Sequence, residues 1–82
     1  MPMPGRANSR DVVRREDGRW EVTKPGGQRP SAVTDTQSEA IHRGGEILHH
    51  DGGGELRIHG VDGVIRDQRT IAPGHDPYPP EG

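Results

Sequence analysis

Five histidines in 82 residues are the first candidates for chemistry: His42, His49, His50, His59 and His75. Histidine ligates zinc and serves as a general base. A zinc site needs its remaining ligands at short, defined spacings, and the chain has no cysteine and no H-E-x-x-H motif. His42 and His49 stand seven residues apart, about two helical turns. No metal is therefore expected. His49 and His50, near the end of a helix, suit the negative end of its dipole when protonated. His59 sits in the segment His59-Gly60-Val61-Asp62-Gly63. A base there would need a nucleophile and an oxyanion device, and Asp62 alone makes no triad. The ring of His59 is expected to bond the turn backbone around Asp62-Gly63.

The glycine runs offer no phosphate loop. A Walker loop needs Gly-Lys-Ser/Thr leading into a helix, and neither Pro25-Gly26-Gly27 nor Gly52-Gly53-Gly54 has it. The carboxylates Asp62 and Asp67 flank a short strand with nothing to form a cleft around them. A domain this small rarely encloses a catalytic pocket. The expectation is a chain that is not an enzyme, with no catalytic residue, no cofactor and no metal.

Charge is nearly balanced, with 11 basic and 13 acidic side chains and a net charge of −2. Such a balance gives no general attraction to nucleic acid or to an anionic membrane. The distribution is uneven: Arg6, Arg10, Arg14, Arg15, Arg19, Lys24 and Arg29 all lie early. A module tracking nucleic-acid phosphates with this arm and the following hairpin is the alternative function. It lacks the interleaved aromatics that stack on bases, since Phe is absent and Trp20 and Tyr78 stand alone.

These residues need elements to position them, and 82 residues allow one small domain. Hydrophobic residues are only 26% of the chain, and Gly with Pro make about a quarter, which borders on low-complexity composition. The chain divides into a disordered arm over 1–10, a folded unit over 11–67 and a proline-rich, extended tail over 68–82. No run is apolar enough to cross a membrane. The first residues contain no apolar stretch of a signal peptide, so a cytoplasmic protein is expected.

Within the folded unit, Asp11–Arg15 is a short β-type run and Gly18 suits the following turn. Arg19–Lys24 then alternates, with Trp20 and Val22 on one face. Ser31-Ala32-Val33 is a brief extended stretch. Thr36-Gln37-Ser38-Glu39 has capping-box spacing, and Ala40, Ile41, Gly44, Ile47 and Leu48 form one helical stripe to about His50. Gly44-Gly45 either weakens this helix or lets it lie close on a sheet. Glu55–His59 alternates again, Asp62-Gly63 signals a hairpin turn, and Val64–Asp67 completes it. The fold class is α+β, in the order β-β-α-β-β: one four-stranded, mainly antiparallel sheet with a single helix on one face. The expected core is Val13, Trp20, Val22, Val33, Ala40, Ile41, Ile47, Leu48, Leu56, Ile58 and Ile65, with Trp20 as hub.

The segments Asp35–Ala40, His59–Ile65 and Asp76-Pro77-Tyr78-Pro79-Pro80 resemble a group of small bacterial proteins, domain-of-unknown-function family 2188. The resemblance covers about Asp11 to Gly82. It implies a compact β-β-α-β-β domain and no assigned activity. Gly44-Gly45 departs from the alanine-rich helix that the family would have.

One helix covers one sheet face. The other would carry Arg19, Glu21, Thr23, Arg57 and His59, a polar face of mixed charge. The expected function is therefore a small interaction module whose contacts run through Arg14, Arg15, Arg19, Glu21, Arg57, His59 and Tyr78. Its partner is an unidentified protein or a second copy, since short edge strands can pair across a two-fold to give a homodimer.

Overall fold

The computed structural model describes residues 8–73. Strand β1 (Ser9–Arg14) and strand β2 (Trp20–Thr23) form the expected first hairpin. The turn closes with Arg15 N–H on Arg19 O at 2.7 Å and Gly18 N–H on Arg15 O at 3.1 Å. Gly18 takes φ +89°, which a side chain would resist. The register pairs Val12 with Val22 and Val13 with Glu21. Residues directly opposite share a face, so Val12 joins Val22 in the core and Val13 goes to the other face with Glu21. The expected inward valine, Val13, is thus replaced by Val12, which is fully buried.

Strand β3 (Ala32–Thr34) pairs antiparallel with β2, and helix α1 (Gln37–His50) leads from it to β4 (Gly54–His59) and β5 (Ile65–Ile71). The sheet order is β3-β2-β1-β4-β5. β1 and β4 run parallel; every other neighbouring pair is antiparallel. The sheet is therefore five-stranded rather than four-stranded; it is mainly antiparallel, as expected, but mixed through this one parallel pair. The stretch at Ala32 is a full member of it. Two antiparallel steps make β3 parallel to β1, and so to β4. Parallel strands need a long crossover, and α1 supplies it across the face of the sheet.

The elements also run further than the expected 11–67. β1 takes in Ser9 and Arg10, and β5 continues to Ile71. The remaining parts of the expected arm (1–7) and tail (74–82), including His75 and Tyr78, lie outside the described residues.

The helix begins where the capping box places it. Thr36 Oγ1 accepts from Glu39 N–H at 3.1 Å. The return bond falls one residue earlier than the motif predicts, from Asp35 N–H to Glu39 Oε1 at 3.3 Å. At the other end Asp51 N–H bonds the carbonyls of Ile47 and Leu48, and Gly53 N–H reaches Leu48 O at 2.6 Å. Ala40, Gly44 and Leu48, four residues apart, face the sheet and are buried. They meet Val12, Trp20, Val22, Leu56 and Ile58, with Ala32, Ile41, Ile47 and Ile71 packed around them.

Two further residues expected in the core are outside it. Val33 stands opposite Glu21 and is 39% exposed; Ile65 is 48% exposed. The second case has a local cause. The register runs Ile58 with Asp67, then His59 with Ile65, so Arg66 is an extra residue in β5. Such a bulge changes which side chains face inward. The helix lies mainly over β1 to β4 and meets β5 where Ile71 approaches Gly45.

Candidate functional site

The face opposite the helix carries the expected polar residues, and β1 and β4 place the central ones. Asp11 and Arg57 are register partners on these parallel strands. Arg57 Nε donates to Asp11 Oδ1 at 2.7 Å, and a second guanidinium nitrogen reaches Ser9 Oγ at 3.4 Å. Both charged side chains are partly covered. The hydrogen bond to the Asp11 carboxylate, reinforced by its charge, holds the Arg57 guanidinium above its ordinary pKa. From β2, Thr23 Oγ1 donates to Asp11 O at 3.5 Å.

His59 follows two residues along β4. Its Nδ1 lies 2.9 Å from Gly63 O, the turn contact expected from the sequence. Its Nε2 is buried without a hydrogen-bond partner, 3.6 Å from Asp11 Oδ1. The backbone on the far side is also held, because Gln37 Nε2 at the start of α1 donates to His59 O at 3.1 Å. Asp11, Arg57 and His59 thus form one ordered cluster at the centre of the sheet. Glu55, next to it on β4, accepts from Gln68 at 3.2 Å and Thr70 at 3.0 Å on β5.

The remaining candidates distribute around this cluster. Glu21 lies on the same face, and Arg15 reaches it from the turn at 3.2 Å while also contacting Asp17 at 3.3 Å. Asp17 accepts from Arg19 N–H, which holds its carboxyl below the usual value. Arg19 does not join the face; it sits in the turn and pairs with Asp35 at 3.3 Å. Arg14 stands opposite Trp20 on the helix side of the sheet and is exposed. Tyr78 lies outside the described residues. The arrangement joins charges in pairs over an open sheet surface. Among the described residues, no group of three or more His, Asp or Glu is placed to hold a metal ion.

Arg10 is a feature that the sequence reading placed in the arm. Its side chain is buried on the helix side at the start of β1. Its guanidinium donates to Asn8 Oδ1 and Ser9 O at 2.8 Å and to Asp51 Oδ2 at 3.0 Å, while Nε has no partner. Hydrogen bonds from Asn8 and then Arg10 hold the Asp51 carboxyl below its ordinary pKa. The pair joins the start of β1 to the end of α1, beside an open depression of about 510 Å³ that Arg43, Glu46, Ile47 and His50 also line. The signal was present in Ser9-Arg10-Asp11-Val12, which continues the strand alternation backwards by two residues.

The sequence profile of the family described as "Uncharacterized protein conserved in bacteria (DUF2188)" matches residues 10–71. That interval runs from the second residue of β1 to the last of β5, so it spans all five strands and the helix. The chain is also similar to a curated protein of Bacillus subtilis (strain 168), "Uncharacterized protein YdaT", with 40% identity over 63 residues. The match covers 77% of this chain and 39% of that protein, so the chain spans about two fifths of the length of this relative. No solved structure matches the chain. Among the described residues no helix is long and apolar enough to cross a membrane.

Proposed function

We propose that this chain, which belongs to the family of uncharacterised bacterial proteins just described, is a non-enzymatic interaction module that binds a partner protein through the uncovered face of its sheet. One observation carries the reading: α1 covers one face, and the other presents a fixed constellation of Asp11, Glu21, Arg57 and His59. Arg57 is already oriented by Asp11 and Ser9, so a partner group meeting it loses little conformational freedom on binding. Half-covered charges on a flat surface discriminate between partners by complementarity of charge. Val13 and Val33 on the same face add apolar contact between them. The cytoplasm is the working compartment in this reading.

The nucleic-acid alternative has less support. The hairpin cations Arg15 and Arg19 are each engaged by carboxylates, which weakens any continuous positive track for phosphates. The test is affinity capture from bacterial extract with the wild type, Arg57→Ala, Glu21→Lys and Arg43→Glu. Arg43 lies on the helix, away from the open face. The reading expects a protein retained by the wild type and Arg43→Glu and lost with the other two. Retention of the same proteins by all four would overturn it. Salt-sensitive retention of nucleic acid, lost with Arg14→Glu, would put the alternative in its place.

A further inference from the structure

β5 is a seven-residue edge strand. Its inner side pairs with β4, and among the described residues no strand pairs with its outer side. The opposite edge, β3, is only three residues long. A long edge presents a row of unpaired backbone donors and acceptors and is a template for another strand. The sequence of β5 is Ile65-Arg66-Asp67-Gln68-Arg69-Thr70-Ile71. Gln68 at its middle is flanked by opposite charges, Asp67 and Arg69.

We infer that β5 pairs antiparallel with β5 of a second copy, about a two-fold axis between the two Gln68 residues. In this register Asp67 stands opposite Arg69 of the second copy, and Arg69 opposite its Asp67. Residues directly opposite lie on one face at about 4.5–5.5 Å between Cβ atoms, so both charge pairs are attractive. Moving the axis to Asp67 or to Arg69 sets like charges directly opposite. An axis midway between two residues would oppose side chains that point to different faces of the sheet. Face and charge together therefore favour the axis at Gln68 over its neighbours. The bulge at Arg66 lies towards one end of the strand and leaves Asp67 to Ile71 regular. All the side chains from Ile65 to Thr70 are exposed in the single copy, so none has to leave a core; Asp67, which accepts from Gln68 N–H at 2.9 Å and from Arg69 Nε at 3.2 Å within its own strand, exchanges the Arg69 contact for Arg69 of the second copy.

This deepens the interaction-module reading by naming one partner of the sheet, a second copy of the chain. A two-fold perpendicular to the sheet keeps both helices on one side. The two open faces then form one continuous surface with two copies of the Asp11–Arg57 cluster. Pairing along one short strand gives a small interface of the weak class.

The experiment is sedimentation of the full chain over concentrations up to about 1 mM, with Asp67→Arg, Arg69→Asp and the double exchange Asp67→Arg/Arg69→Asp. The wild type is expected to dimerise reversibly. Each single variant sets like charges opposite in both pairs, and its dissociation constant should rise about tenfold or more. The double exchange should restore dimerisation. A mixture of the two single variants should also dimerise, because each supplies what the other lacks. Trp20 emission and far-ultraviolet circular dichroism report that all variants remain folded. A wild type that is monomeric throughout overturns the inference, as does a wild-type dimer that survives both single exchanges unchanged. A monomer that still captures its partner through Glu21 and Arg57 overturns the pairing alone. A dimer whose capture ignores those residues overturns the face reading alone.

Discussion

A Cβ added to Gly44 would stand 2.8 Å from Leu56 Cδ1. Glycine at this position is what lets α1 lie against the centre of the sheet, and Leu56 fills the space that a side chain would need. Gly45, one residue on, has a different environment. Its added Cβ would meet only Ile71 Cδ1, at 3.8 Å, an ordinary contact.

Alanine at the two positions should therefore act with opposite sign. Each substitution gains about 1 kcal/mol of helix propensity. At Gly44 the methyl group overpacks a fully buried leucine, at about 1–3 kcal/mol, so Gly44→Ala should be net destabilising by up to about 2 kcal/mol. Gly45→Ala should stabilise by about 0.5–1 kcal/mol. Urea unfolding followed by Trp20 emission measures both. A stabilised Gly44→Ala would show that the helix does not approach the sheet this closely.

The hairpin register makes a second contrast. Val12 is fully buried and Val13 only half so. Val12→Ala removes two methyl groups from a closed core and should cost about 2–3 kcal/mol. Val13→Ala on the open face should cost less than about 1 kcal/mol. Equal losses in denaturant unfolding would contradict the pairing of Val12 with Val22.

That contrast also shows where the sequence is legible. Trp20, Val22, Leu56 and Ile58 alternate with polar residues, so their inward face can be read directly. Val12 and Val13 are adjacent, and alternation cannot choose between them; the turn around Gly18 does, by setting which residue of β1 opposes Val22. β3 has three residues, too few for an alternation to register. Its place in the sheet is set by pairing with β2 and not by local propensity. Ile65 is an apolar residue of a strand and is expected inward on that ground; the bulge at Arg66, which pairs Ile65 with His59, is set by the pairing with β4 and has no signature in the apolar pattern. The polar face was legible at Glu21, Arg57 and His59. Asp11, the carboxylate that organises Arg57 and His59, comes from a strand distant in sequence and is visible only once β1 and β4 are adjacent.

The Asp11–Arg57 pair should be measurable as a coupling. Asp11→Asn and Arg57→Met, alone and together, form a double-mutant cycle. The pair is partly exposed, which limits its contribution to about 1 kcal/mol. The coupling should fall as salt is added, because the shared face is open to solvent. A coupling of zero at low salt would mean that the two side chains are not held together in solution.

Acid should lower stability through the carboxylates that hydrogen bonds stabilise in the fold. Asp17, Asp51 and Asp62 all have folded pKa values below the ordinary 3.8. For Asp51 the causes are hydrogen bonds from Asn8 and Arg10; for Asp62, chiefly the Val64 backbone N–H, with the Arg66 charge adding to it. A carboxyl whose folded pKa is lowered contributes stability above its unfolded pKa and loses it as pH falls through the folded value. Stability should therefore be flat above about pH 5 and decline below about pH 4. Asp51→Asn removes one of these groups and leaves the Arg10 guanidinium without its carboxylate. The variant should melt lower than the wild type at pH 7 and show a shallower decline on acidification, so that the two melting curves converge towards roughly pH 2–3. Thermal melts followed by circular dichroism across this range measure the difference. Parallel curves, with the same offset at every pH, would show that Asp51 contributes through packing rather than through its charge.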